Sequence, residues 1–147
     1  MLAQQKLVGL VVAALEASPA LAAAKVYRQR TRAVSTEVAM ALVVRHVVSE
    51  STAVLSGINA PLDWESTLAI ECIARSGANQ TPDEAVGPLV LAVHACLTAD
   101  TSLHQDGFEM QPKLRITHDQ DELDERIGAA VILFTVQWRS PYTSLSA

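Results

Sequence analysis

This sequence predicts a single α+β domain, and three observations lead there. Residues 2–17 and 82–99 repeat their apolar side chains at the helical period. Residues 25–48, 64–75, 108–117 and 128–139 alternate in polarity, or run apolar, over strand lengths. At 147 residues, half of them hydrophobic, the chain can fill one core and has little room for a second. The expected architecture is a mostly antiparallel sheet of four to five strands, with the N-terminal helix and one long helix packed on one face.

In the first segment Leu7, Val8, Val11, Val12 and Leu15 gather on one stripe, Gln4, Gln5 and Gly9 lie away from it, and Ser18-Pro19 stops the helix. The same stretch imitates a secretory signal: Lys6, the run Leu7–Leu15, then Ala20–Ala24. Glu16 closes the run after nine residues, and one basic residue precedes it, which favours a helix that packs in the core. Intact mass is the test, since a mature chain beginning near Ala24 or Lys25 overturns that reading.

From Val26 to Arg32 the side chains of Val26, Arg28, Arg30 and Arg32 share one face of an expected strand. Ala39–Val48 is apolar on both sides apart from Arg45 and His46, as a central strand is. Ser49–Asp63 reads as a long connection. Trp64–Arg75 alternates, with Leu68, Ile70, Cys72 and Ala74 toward the core and Glu65, Thr67, Glu71 and Arg75 toward water. One side of the sheet is therefore expected to be core and the other wet.

Thr81-Pro82-Asp83-Glu84 has the form of a capping box, with Thr81 as N-cap, Pro82 at the first helical position and Glu84 reaching back. Val86, Leu89, Val90, Val93, Cys96 and Leu97 make the stripe of the helix that follows, and Asp100 ends it. Phe108, Met110, Leu114 and Ile116 then alternate with Glu109, Gln111, Lys113 and Arg115. Pro112 removes a ladder donor, so this strand belongs at an edge or carries a bulge. Asp119–Glu125 reads as an acidic linker, Gly128–Arg139 as the last strand, and residues 140–147 as a C-terminal arm.

Composition excludes several classes of function. Uncharged stretches such as Ala129–Trp138 fall short of the roughly 20 residues that span a bilayer. Two cysteines are too few for a disulfide scaffold. A net charge of −5 argues against a dedicated nucleic-acid binder. The six glycines are too dispersed for a dinucleotide or phosphate-loop motif, and there is no G-x-S-x-G elbow. No metal or cofactor site is expected. His94 and Cys96 stand two apart on a helix and point to different faces, Cys72 and Cys96 read as small buried hydrophobes, and His46, His104 and His118 are scattered. Five acids between Asp119 and Glu125 read as a solvated loop rather than an acid–base pair, and no calcium-loop glycine accompanies them.

Charge is unevenly spread. Residues 1–45 carry six basic and two acidic groups, whereas residues 46–147 carry five basic and fourteen acidic ones. Lys25, Arg28, Arg30 and Arg32 form a basic strip whose complement is the acidic run. Intramolecular pairing or plain solvation is the bland account. The sharper one joins strip and acids between copies, head to tail, in a contact that closes into a ring. Nucleic-acid binding by the strip ranks third, because Tyr27 is the one aromatic residue interleaved with it.

The order Trp64-Glu65-Ser66-Thr67-Leu68-Ala69-Ile70-Glu71-Cys72-Ile73-Ala74-Arg75, Thr81-Pro82-Asp83-Glu84-Ala85-Val86-Gly87-Pro88-Leu89, an acidic linker, then Leu133-Phe134-Thr135-Val136-Gln137-Trp138-Arg139-Ser140-Pro141 resembles the tail terminator (tail-completion) proteins of long-tailed bacteriophages. The resemblance spans roughly residues 24–147, and its specificity lies in the order and spacing of short apolar patterns. It implies a homohexameric ring on the head-proximal end of the tail tube, which stops tube polymerisation and presents a surface to head-completion or neck proteins. It further implies no covalent chemistry, no membrane, DNA only as cargo through the ring lumen, assembly in the host cytoplasm and residence in the virion tail. The rival readings are a head-completion or neck connector ring, a small α+β enzyme, and, if the amino terminus is cleaved, a secreted binding module.

Within that reading Arg28, Arg30 and Arg32 are the expected partners of Asp119, Asp121, Glu122 and Asp124 on a neighbouring subunit. Val54, Leu55 and Ile58 in the Ser49–Asp63 connection, and Tyr142 and Leu145 in the arm, are the expected apolar anchors for the tube, the neck or a neighbour.

Overall fold

The computed structural model describes residues 1–29, 38–53, 60–120, 126–141 and 143–145, the side chains of 53, 119 and 120 excepted. Helix α1 (Ala3–Ala17) and a 3-10 turn (Pro19–Leu21) precede strands β1 (Lys25–Arg28), β2 (Met40–Ala53) and β3 (Leu62–Arg75). Helices α2 (Pro82–Ala99) and α3 (Ser102–Gln105) follow, then strands β4 (Glu109–Gln120) and β5 (Ile127–Ser140). The five strands form one sheet in the order β1-β2-β3-β5-β4. It is an α+β fold with a mixed sheet: β1 and β2 run parallel, and every other neighbouring pair is antiparallel.

Both long helices lie on one face. Helix α1 packs over β1 and β2, and α2 over β3 and β5. Ala3, Leu7, Val8, Val11 and Leu15 of α1 meet Val86, Leu89, Val90, Val93 and Leu97 of α2 in the core. The floor of that core is a lattice of alternate strand residues: Leu42 and Val44, then Leu68, Ile70 and Cys72, then Ala130, Ile132, Phe134 and Val136. The expected stripes of both helices are the buried ones apart from Val12 and Cys96, which are partly exposed, because helical period and sheet pleat each commit one face to apolar contact. Thr81 caps α2 by accepting from the Glu84 N–H at 3.3 Å. Pro88 interrupts the helix ladder on the exposed side, where water can reach the freed carbonyl. The stretch Pro82–Gln105 is long and apolar enough, by length and composition, to cross a membrane. Here one side of it rests on the sheet.

Four expectations need correction. The strand expected over Val26–Arg32 stops at Arg28, because Gln29 takes φ 42°, a left-handed conformation that breaks the extended run. The expected division of residues 25–48 into two strands holds, with the first shortened. The connection expected over Ser49–Asp63 is strand at both of its ends: β2 continues to Ala53 and β3 begins at Leu62, paired Ala53 to Leu62. Polar Ser49, Ser51 and Thr52 pair as readily as apolar residues, since the ladder uses backbone groups alone. Asp119, expected to open the acidic linker, belongs to β4 instead: Asp119 and Gln120 pair with Ala129 and Gly128. Finally, the helix-free face is not uniformly wet. Ala41, Val43, Ala69 and Thr135 are buried on it, small side chains set between longer cross-strand neighbours such as Arg45 and Leu133.

Pro112 does both things expected of it. β4 is an edge strand, and its register with β5 slips between Met110 and Leu114.

Candidate assembly surface

Among the described residues the edge strands of the sheet are β1 and β4, and cross-strand pairing fixes how they correspond. Lys25 pairs with Ala41, Ala41 with Ile73, Ile73 with Ala129, and Ala129 with Asp119. Lys25 and Asp119 thus occupy one row, at opposite ends of it. Four strand spacings of about 4.8 Å separate them by about 19 Å. An ion pair within one chain is out of reach at that distance. Strands β1 and β4 also run in opposite directions, a consequence of one parallel and three antiparallel steps.

At the β1 edge the basic residues are held by their own chain. Lys25 places its ammonium 5.6 Å from the centre of the Tyr27 ring. Arg28 turns to the helical face and donates from Nη2 to the Gln5 carbonyl of α1 at 2.8 Å. That bond ties β1 to α1 but leaves most of the guanidinium in water.

Among the described residues neither long helix covers the β4 edge, which the short α3 touches near its start. A helix is about 10 Å across and a strand step about 4.8 Å, so each helix roofs about two strands. α1 and α2 cover four, and β4 is the fifth. Leu114 and Ile116 of β4 point to the helical side yet are 39% and 46% exposed, and Leu91 of α2 is 71% exposed. A groove of about 580 Å³ opens there, lined among others by His94, Leu97, Leu103, Phe108, Met110 and Leu114. The alternation of β4 together with Pro112 signalled an edge. That its apolar side would stay uncovered was not legible, because it depends on where α2 lands.

Arg30, Arg32, Asp121, Glu122, Asp124, Val54, Leu55, Ile58 and Tyr142 lie outside the described residues. Asp119 is the penultimate residue of β4. Leu145 of the arm sits on its own chain: its carbonyl accepts from the Ala3 N–H at 3.0 Å, and its half-exposed side chain flanks a hollow shared with Leu2, Gln5, Val8, Arg28 and His46. That bond satisfies a free donor at the start of α1, where Leu2 supplies no side-chain cap.

Beneath α1 a polar chain crosses the sheet. The Trp138 indole donates to Ser66 at 2.8 Å, the Ser66 and Ser49 hydroxyls are 2.6 Å apart, and Ser49 lies 2.7 Å from His46 Nε2. Trp138 can only donate, so each hydroxyl is best satisfied by passing its proton along, toward a neutral His46 that accepts. Burial lowers the His46 pKa below 6.5, and a backbone hydrogen bond to Val48 opposes this. Ser49 and His46 therefore stand at hydroxyl–imidazole distance, but both are consumed in a hydrogen-bonded chain, and among the described residues the partners of the imidazole are Ser49 and the Val48 backbone.

Elsewhere Asp63 and Arg139 form an exposed pair at 2.7 Å, and the guanidinium holds the Asp63 carboxyl below its ordinary range. Among the described residues no three His, Cys, Asp or Glu side chains converge as a metal set. Cys72 is buried on the core face, and Cys96 donates to the Ala14 carbonyl at 3.4 Å, between the two helices. The chain matches no family model, and no curated protein matches it in sequence.

Proposed function

We propose that this chain is a structural subunit that joins its own copies head to tail into a ring, acting as the tail terminator of a long-tailed bacteriophage. The ring caps the head-proximal end of the tail tube, stops further tube subunits from adding, and offers its other rim to head-completion or neck proteins. The phage assignment and the number six come from the resemblance in motif order.

One structural observation supports the assembly. Lys25 and Asp119 hold positions in one row at opposite edges of one sheet, about 19 Å apart, so these two can meet each other only between molecules. Such a contact is heterologous and closes into a ring when the rotation between copies permits. The reading is of a non-catalytic protein, and it agrees with the Ser49–His46 approach being tied up in a structural chain.

Electron microscopy of the purified protein mixed with purified tail tubes tests it. A ring at one end of each tube is the expected image. Attachment to filled heads instead of tubes transfers the protein to the neck, and turnover of a metabolite refutes the structural role. Light scattering with charge reversal at Arg30 and Arg32 probes the remainder of the basic strip, and unchanged association removes those two residues from the contact.

A further inference from the structure

The row that links Lys25 to Asp119 determines more than charge. Because β1 and β4 are antiparallel, a copy set beside β4 can continue the sheet with the same sense of pairing. Placing a neighbour's Lys25 opposite Asp119 also places its Val26 opposite His118, Tyr27 opposite Thr117 and Arg28 opposite Ile116. In that register helical-face positions meet helical-face positions, and open-face positions meet open-face ones. A slip of one residue would break the match. The neighbour also brings a roof. Its α1 rides over its own β1, on the same face as α2, and so comes to lie beside the groove.

We propose that the β4 edge of one copy pairs with the β1 edge of the next in this register, and that the neighbour's α1 covers Leu114 and Ile116. The inference rests on the self-association proposed above but not on the tail. A second copy fits this edge for two reasons on the molecule itself: opposite charge at the two ends of a single row, and, among the described residues, a pair of long helices that stops short of β4, which the short α3 alone contacts. Among the described residues no strand other than β5 pairs with β4, so its outward backbone groups supply main-chain hydrogen bonds to the incoming strand.

The experiment is a charge exchange read by sedimentation and light scattering, at concentrations where the native chain associates or in the presence of tail tubes. Lys25→Asp and Asp119→Lys should each weaken association by roughly tenfold, and the double exchange should restore most of it. In parallel, Lys25→Cys combined with Asp119→Cys should give a ladder of disulfide-linked oligomers on oxidation, which neither single variant gives. Circular dichroism confirms that each variant is folded. Association that persists while ignoring both exchanges overturns this interface and leaves the ring reading standing. Dimers linked through Ile116→Cys alone overturn it in favour of a two-fold β4–β4 contact. A native chain that stays monomeric under every condition removes the ring and this inference together.

Discussion

Trp64 and Trp138 face each other across β3 and β5, stacked with ring centres 5.2 Å apart and planes within 8° of parallel. Each indole donates to a serine on the other's strand: Trp64 to Ser140 at 2.9 Å, Trp138 to Ser66 at 2.8 Å. The stack closes the far end of the core, where Phe108 meets Trp138 at a tilt, and it braces the long hairpin arms that carry Ser49 and Ser51. Aromatic pairs of this kind contribute about 0.5–1.5 kcal/mol beyond the area they bury.

Trp138→Phe should therefore lower stability by about 1–2 kcal/mol, since it keeps a ring in place but leaves the buried Ser66 oxygen without its donor. Trp138→Ala should cost about 3–5 kcal/mol by opening a cavity as well. Urea unfolding midpoints separate the two. Equal losses for both variants would mean that the hydrogen bond carries the whole effect.

Acid should loosen the same region. His46 is held neutral in the folded chain, with its pKa lowered from 6.5 by burial. The unfolded chain then binds the extra proton first, so the stability due to neutral His46 is complete above about 6.5 and falls as pH drops toward the folded value. A protonated ring would present a second donor to a chain already terminated by the Trp138 N–H. Melting temperatures measured from pH 7.5 down to 5 should decline, and His46→Gln should flatten the decline. A profile unchanged by that variant would assign the acid sensitivity to other groups.

Gly128 should tolerate no side chain. A Cβ built there meets the Pro82 carbonyl group and the Val86 Cβ, because the first turn of α2 crosses β5 at this point. Backbone on one side cannot yield as a flexible side chain would. Gly128→Ala is expected to cost at least about 1–3 kcal/mol. Gly87→Ala, with open space around its Cβ, is the matched control and should be neutral or slightly stabilising.

The thiols should differ sharply in reactivity. Burial, with a smaller contribution from the nearby Glu71 carboxylate, pushes the Cys72 pKa up to about 12. Cys96 is also raised by burial but remains partly accessible. Alkylation of the native protein at pH 8 should add one label, slowly, at Cys96. Peptide mass mapping checks this, and rapid labelling of Cys72 would show that the core opens more readily than its packing implies.

Local pattern alone determined a good deal. The apolar stripes of α1 and α2, the Thr81 cap, the core side of Leu68, Ile70, Cys72 and Ala74, and the choice of edge or bulge that Pro112 imposes are all written in period and composition, because these reflect which face of an element meets water and which backbone groups can pair. Tertiary structure decided the rest. No pattern said that β1 would run parallel to β2, that it would end at Gln29, or that Ser49–Ala53 would extend a strand, since every residue brings the same backbone groups to a ladder. Nor could the order of charges along the chain reveal that Lys25 and Asp119 share a row: that correspondence exists only after five strands choose their neighbours. The exposed side of β4 has the same origin, because two helices roof about four strands and the sheet has a fifth.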